Sequence, residues 1–182
     1  MNKLASIQAE IHLVLSQVEE KLLMETAELL KTKKRIFVIG EGRSGLMAKS
    51  FAMRLMHLGA CVYVVGETIT PSIASDDVLV AISGSGKTKS VIWTAEAAKD
   101  LGCHTIAITT DSSSPLANAA LSIVNIPAST KYRKENETPS IQPLGSLFDQ
   151  CAHIVFDTIC LCYAEQNKVE FATAFKNHSN LE

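Results

Sequence analysis

Val78-Leu79-Val80-Ala81-Ile82-Ser83-Gly84-Ser85-Gly86-Lys87-Thr88 passes from an unbroken apolar run into a Ser/Gly turn, and an amphipathic stretch over 88–100 follows. A continuous β-branched run reads as a strand buried on both faces, which is how strands of a parallel sheet look. The same grammar appears upstream. Arg35-Ile36-Phe37-Val38-Ile39 is followed by a second glycine turn, Gly40-Glu41-Gly42-Arg43-Ser44-Gly45, and by a helical pattern over about 44–58 closed by Gly59. Cys61–Val65, Thr105–Ile108 and Leu121–Val124 supply three more strands, with a short helix after Pro115. Strands separated by crossover helices give a doubly wound, three-layer αβα sandwich around a five-stranded parallel sheet.

Outside this core, residues from about 2 to 31 place Leu4, Ile7, Ile11, Val14, Leu15, Val18, Leu22 and Leu29 at helical spacing, which predicts one long N-terminal amphipathic helix. The polar stretch 127–143 carries three prolines and reads as a long loop, a length that usually serves function. A helix over about 144–166 and a short C-terminal helix complete the chain. With 182 residues, this is expected to be a single domain spanning 1–182.

Composition removes several classes of function. Lys+Arg 17 against Asp+Glu 19 leaves a net charge of −2, without the basic field that nucleic-acid binders need. The sequence shows neither a leader pattern nor a run approaching the ~18 apolar residues of a membrane span. Five cysteines, Cys61, Cys103, Cys151, Cys160 and Cys162, are an odd number without C-x-x-C spacing, and each sits in an apolar run. They read as buried thiols in a reducing, cytoplasmic setting. His12 and His104 read as structural, Trp93 as core, and the Asp149, His153, Asp157 series as a polar helix stripe rather than metal ligands.

In open α/β sheets ligands sit beyond the carboxyl ends of the strands, so the two glycine turns compete for that place. The first is a literal G-x-G-x-x-G, the pattern that rests a dinucleotide pyrophosphate on a helix N-terminus. The only acid near the end of the second strand is Glu67, two residues past it. The second ends in Gly86-Lys87-Thr88 like a triphosphate loop, but the required first glycine is Ala81. The simpler chemistry is a phosphate monoester held by Ser83, Gly84, Ser85, Gly86, Lys87 and Thr88, through hydroxyls and the N–H groups that open a helix. A Ser/Gly turn that merely caps a helix is the alternative.

Five ordered blocks then point to a family: Gly40–Gly59 around Gly-x-Gly-Arg-Ser-Gly, Val65–Pro71, Ile82–Thr88, Gln142–Phe148 and the terminal His178–Glu182. Together they resemble the 6-phospho-3-hexuloisomerases of the sugar isomerase (SIS) domain group. The resemblance implies a single SIS domain with flavodoxin-like winding, a homotetramer, and no metal or organic cofactor. It implies reversible isomerisation of D-arabino-3-hexulose 6-phosphate to fructose 6-phosphate, in formaldehyde fixation by the ribulose monophosphate pathway. Another SIS aldose–ketose isomerase and a non-catalytic phosphosugar sensor are the competing classes.

Such a reaction needs a base to move a proton between C2 and C3. Asp149 occupies the position where the family shows Glu, one methylene longer, and is the expected base; Glu67 is the runner-up. Arg43 and Ser44 are expected at the substrate, His57 in the active site, and His178 on a tail that covers a neighbouring subunit's site. Glu41 and Lys87 depart from the family pattern.

Overall fold

The computed structural model describes residues 2–133 and 137–181. The element order is α1 (Lys3–Leu15), α2 (Glu20–Thr32), β1 (Ile36–Gly40), α3 (Gly42–His57), β2 (Val62–Val64), β3 (Val78–Ile82) and α4 (Lys89–Asp100). It continues with β4 (His104–Thr109), α5 (Pro115–Ala119), β5 (Ser122–Asn125), α6 (Ser146–Gln166) and α7 (Phe171–Lys176). All strand pairs are parallel, in the order β2-β1-β3-β4-β5. The chain leaves β1 toward one edge and returns through β3 to build toward the other. The winding therefore reverses between β1 and β3, and a crevice opens beyond their carboxyl ends.

Alternation along the strands builds two cores. Ile36, Val38, Val78 and Val80 turn to the face covered by α1, α2, α3 and α6, while Phe37, Ile39, Leu79 and Ala81 turn to α4 and α5. On the first face Phe51 of α3 stacks on Phe156 of α6 with ring centroids 4.7 Å apart, a pairing worth about 0.5–1.5 kcal/mol beyond its buried area. At the opposite end of the sheet from the crevice, Arg35 forks onto the fully buried Asp77, with bonds of 2.9 and 2.6 Å that tie the start of β1 to the start of β3.

Several expectations change. The N-terminal helix is two helices, broken at 16–19, where Ser16 Oγ and Gln17 Nε2 both donate to the Leu13 carbonyl and compete with the helical ladder. The break lets Val14 of α1 and Leu23, Ala27 and Leu30 of α2 bury against the same core. Trp93 is not core: it stands on the outer side of α4, 70% exposed. Of the cysteines, Cys103, Cys151 and Cys160 are buried as expected, whereas Cys61 is exposed and Cys162 half-buried. The length and apolarity of α6 suffice for a membrane span, yet its buried residues face the first core, as those of a central helix do. In the long loop, residues 134–136 lie outside the described residues.

Candidate active site

At the reversal between β1 and β3 lies a cavity of about 470 Å³, lined from the β1–α3 turn, the β3–α4 turn, the 127–143 loop and the start of α6. The two glycine turns do different work. A Cβ on Gly45 would sit 2.6 Å from the Gly40 carbonyl oxygen, so this pair lets α3 pack tightly against β1. Between them, Glu41 lines the cavity and accepts from Ser90 Oγ at 2.8 Å. A carboxylate there opposes a pyrophosphate, and the dinucleotide reading of G-x-G-x-x-G loses its support.

The β3–α4 turn is shaped by its neighbours. Gly86 has φ +61°, and a Cβ there would overlap Ser114 Oγ at 2.1 Å. Thr110 donates twice to the Gly84 carbonyl, at 3.1 and 2.8 Å, drawing that oxygen toward the end of β4. Ser83 Oγ and Thr88 Oγ1 pair at 2.9 Å. Ser83, Gly84, Ser85 and Thr88 line the cavity; Gly86 is buried beneath the turn and Lys87 is exposed, outside the lining.

Three helices begin at this cavity. α3, α4 and α6 start after Glu41, Thr88 and Gly145, and none of these residues caps its helix with its side chain. Three positive helix ends therefore converge on one space, which suits an anion, although the first N–H of α6 is already taken by the Pro143 carbonyl at 3.2 Å.

Asp149 stands in the first turn of α6, 5% exposed. Ser44 Oγ donates to its Oδ1 at 2.8 Å, and Arg43 Nε lies 3.5 Å from Oδ2. Arg43 also donates to Ser146 Oγ at 3.2 Å, so the start of α3 grips the start of α6. Burial pushes the Asp149 carboxyl above the ordinary aspartate range, against the lowering pull of Ser44 and Arg43. Phe148 brings this turn close, its ring packed where a Cβ on Gly84 would stand, 2.9 Å away.

Within one chain the other expected acid–base residues lie elsewhere. His57 ends α3, about 22 Å of helix from Gly42, and is 4% exposed. Its ring stacks on His178 with centroids 5.1 Å apart, and Asn177 Nδ2 donates to the His57 carbonyl at 3.0 Å. Burial, Arg54 and His178 hold the His57 pKa below the usual value. Glu67 is exposed beyond β2 and pairs with Lys49 at 3.6 Å. The stripe on α6 splits: Asp149 is inside, and His153 and Asp157 pair at 3.6 Å on the exposed side.

Sequence reading assigned no substrate-site role within the 127–143 loop, where only the family block from Gln142 was named, yet Thr130 and Lys131 line the cavity. The available signal was a Ser129-Thr130-Lys131 run directly beyond the carboxyl end of a strand. Leu144 and Gly145 line it too, Leu144 with φ +53°.

This fold and crevice define the class, and the family model for the SIS domain matches residues 29–154. The 3-hexulose-6-phosphate isomerase of Bacillus subtilis (strain 168) is 39% identical over 178 residues, covering 98% of this chain and 96% of that protein. The protein of the same name from Mycobacterium gastri is 38% identical, covering 100% and 90%. A crystal structure from Methanococcus jannaschii, described as inferring a molecular function of 3-hexulose-6-phosphate isomerase, superposes with a TM-score of 0.86 at 32% identity and full coverage of both chains. The chain belongs to the SIS family, in the branch of these 3-hexulose-6-phosphate isomerases.

Proposed function

We propose that this protein isomerises D-arabino-3-hexulose 6-phosphate to fructose 6-phosphate, reversibly, as a cytoplasmic step of the ribulose monophosphate pathway, and that residues 1–182 form one SIS domain. The observation that carries the chemistry is Asp149: a buried carboxylate with a raised pKa, set on a cavity where three uncapped helix N-termini meet. Two such groups serve two needs, a proton carrier and an anion site.

The phosphate monoester is bound by the Ser83–Thr88 turn, with Ser83, Gly84, Ser85 and Thr88 in the lining; Gly86 supplies the turn's backbone and Lys87 adds charge at its rim. Asp149 removes the C2 proton. The C–H electron pair becomes the C2–C3 double bond, and the C3 carbonyl oxygen takes the negative charge. Arg43 and the helix ends stabilise that enediolate. The O2 proton passes to O3, Asp149 returns its proton to C3, and the carbonyl has moved to C2. Ser44 keeps the carboxylate oriented. Every group in this sequence comes from the chain, so no cofactor enters the scheme.

His57, His178 and Glu67 join this reading through assembly. We assign a homotetramer, in which the α7 tail bearing His178 reaches the site of a neighbouring copy. Phe171, Phe175 and Leu181, all largely exposed on one chain, supply the apolar surface for that contact.

The test is turnover of D-arabino-3-hexulose 6-phosphate, generated from formaldehyde and ribulose 5-phosphate, with fructose 6-phosphate read by a coupled assay in metal-free buffer. Rapid turnover is expected. No turnover, with phosphosugars still raising Tm, would make the protein a sensor instead.

A further inference from the structure

Glu10 lies on α1, remote in sequence from both glycine turns and from Asp149. Its carboxylate nevertheless accepts three hydrogen bonds from one short segment: Ser140 Oγ at 2.7 Å, the Ile141 N–H at 2.7 Å and Gln142 Nε2 at 3.1 Å. Gln142 is 6% exposed, and its own N–H donates to Ser140 Oγ at 3.0 Å. Leu144 and Gly145 of the cavity follow two residues later, and α6 begins at Ser146.

Arg133 approaches the same segment from the other side. One terminal nitrogen donates to the Gln142 carbonyl, and the other donates to Ser129 Oγ at 2.8 Å. Ser129 adjoins Thr130, which lines the cavity and is clamped by Glu137, its N–H at 2.8 Å and its hydroxyl at 2.6 Å. A planar fork suits such a bridge between two chain segments. Both Arg133 (φ +48°) and Leu144 (φ +53°) are non-glycine residues in the left-handed region, a conformation that persists only where surrounding contacts impose it. The charges agree with the geometry. Partial burial disfavours ionised Glu10, but the Ile141 N–H, Gln142, Ser140 and the Arg133 charge outweigh it and leave the carboxyl below its ordinary pKa.

We propose that Glu10 and Arg133 are positioning residues for the isomerisation: they fix both loop walls of the cavity and the entry to α6, so that Asp149 meets the C2–H of the substrate. This rests on the isomerase reading above. Neither residue lines the cavity, so each acts through the Ser140–Gly145 segment. The Ser83–Thr88 turn shares no hydrogen bond with this network among the described residues, so the bonds that shape the phosphate turn are independent of it.

That independence supplies the test. Glu10→Gln keeps the size of the side chain but replaces an acceptor oxygen with a donor facing other donors. Arg133→Lys, at an exposed residue, keeps the charge and loses the fork. With the hexulose phosphate as substrate, each variant is expected to lose about tenfold or more in kcat, as small misplacements of a reacting group do. The double variant should lose little more than the worse single one, because both hold the same segment. Competitive inhibition by inorganic phosphate should stay within about twofold of the parent and Tm within a few degrees. A kcat within twofold of the parent in both variants overturns the proposal. So does a loss of kcat that runs in parallel with weakened phosphate inhibition and a fallen Tm. Should Glu10→Gln not fold, Arg133→Lys decides alone. A parent that fails to turn the substrate over defeats the isomerase reading itself, whereas an active parent with unaffected variants defeats only the positioning role.

Discussion

Ionised Asp149 works against the fold that carries it. Its folded-state pKa is raised, so the native chain holds the proton more tightly than the unfolded chain. The favourable contribution of this group is therefore complete below the ordinary aspartate pKa and is lost as pH rises through the raised value. At neutral pH the charge opposes folding, a cost that the proposed role of proton carrier explains. Asp149→Asn preserves the acceptor for Ser44 and removes the charge. It is expected to leave Tm at pH 7.5 unchanged or higher while cutting kcat by about 10²–10⁴-fold, checked by calorimetry and steady-state rates. The acid limb of kcat/KM should lie above the ordinary aspartate range. Ser44→Ala removes the donor that favours the charged form, so that limb should move to higher pH. At this scale Asp149, Arg43 and Ser44 were legible from motif position alone. The place of Lys131 was legible only from its position beyond the carboxyl end of β5, because the side chain of a lysine in a polar loop carries no sign of what it faces.

Among the elements, the β3–α4 turn shows most directly how backbone shape makes a site. Gly86 needs its φ of +61° and the space beside Ser114, which itself caps α5 by accepting from the Ala117 N–H at 3.3 Å. Gly86→Ala should cost about 1–3 kcal/mol in urea unfolding, from the left-handed backbone and the overlap together. It should also raise the KM for the phosphosugar, because the Ser83–Thr88 turn must shift. The strands and the long helices were readable from apolar runs, since burial on both faces of a parallel sheet leaves a continuous signature. The break between α1 and α2 was not. Helical periodicity ran on through Val18, and only side-chain competition for the Leu13 carbonyl and packing on α6 divide the two.

For the whole molecule, the C-terminal apolar surface is where the proposed contact between copies is tested. Phe171 and Phe175 stack at 6.4 Å on α7 yet stay 86% and 70% exposed, an arrangement that favours association over solvation. If α7 makes the proposed tetramer contact, the double variant Phe171→Ser, Phe175→Ser lowers the mass measured by analytical ultracentrifugation and reduces kcat with it. An unchanged mass would free α7 from any part in assembly.

The sequence by itself determined the doubly wound sheet, the two glycine turns and the candidate anion site, because strand burial, helix periodicity and turn chemistry are local patterns. Tertiary structure alone decided which residues meet. Ser44 and Asp149, far apart in the chain, come within 2.8 Å because Phe51 stacks on Phe156 and Phe148 closes over Gly84. The same packing brings Glu10 under the loop that leads to α6. Local patterns say which face of a helix is buried. Which partner fills that face depends on how the layers dock, and no local pattern contains it.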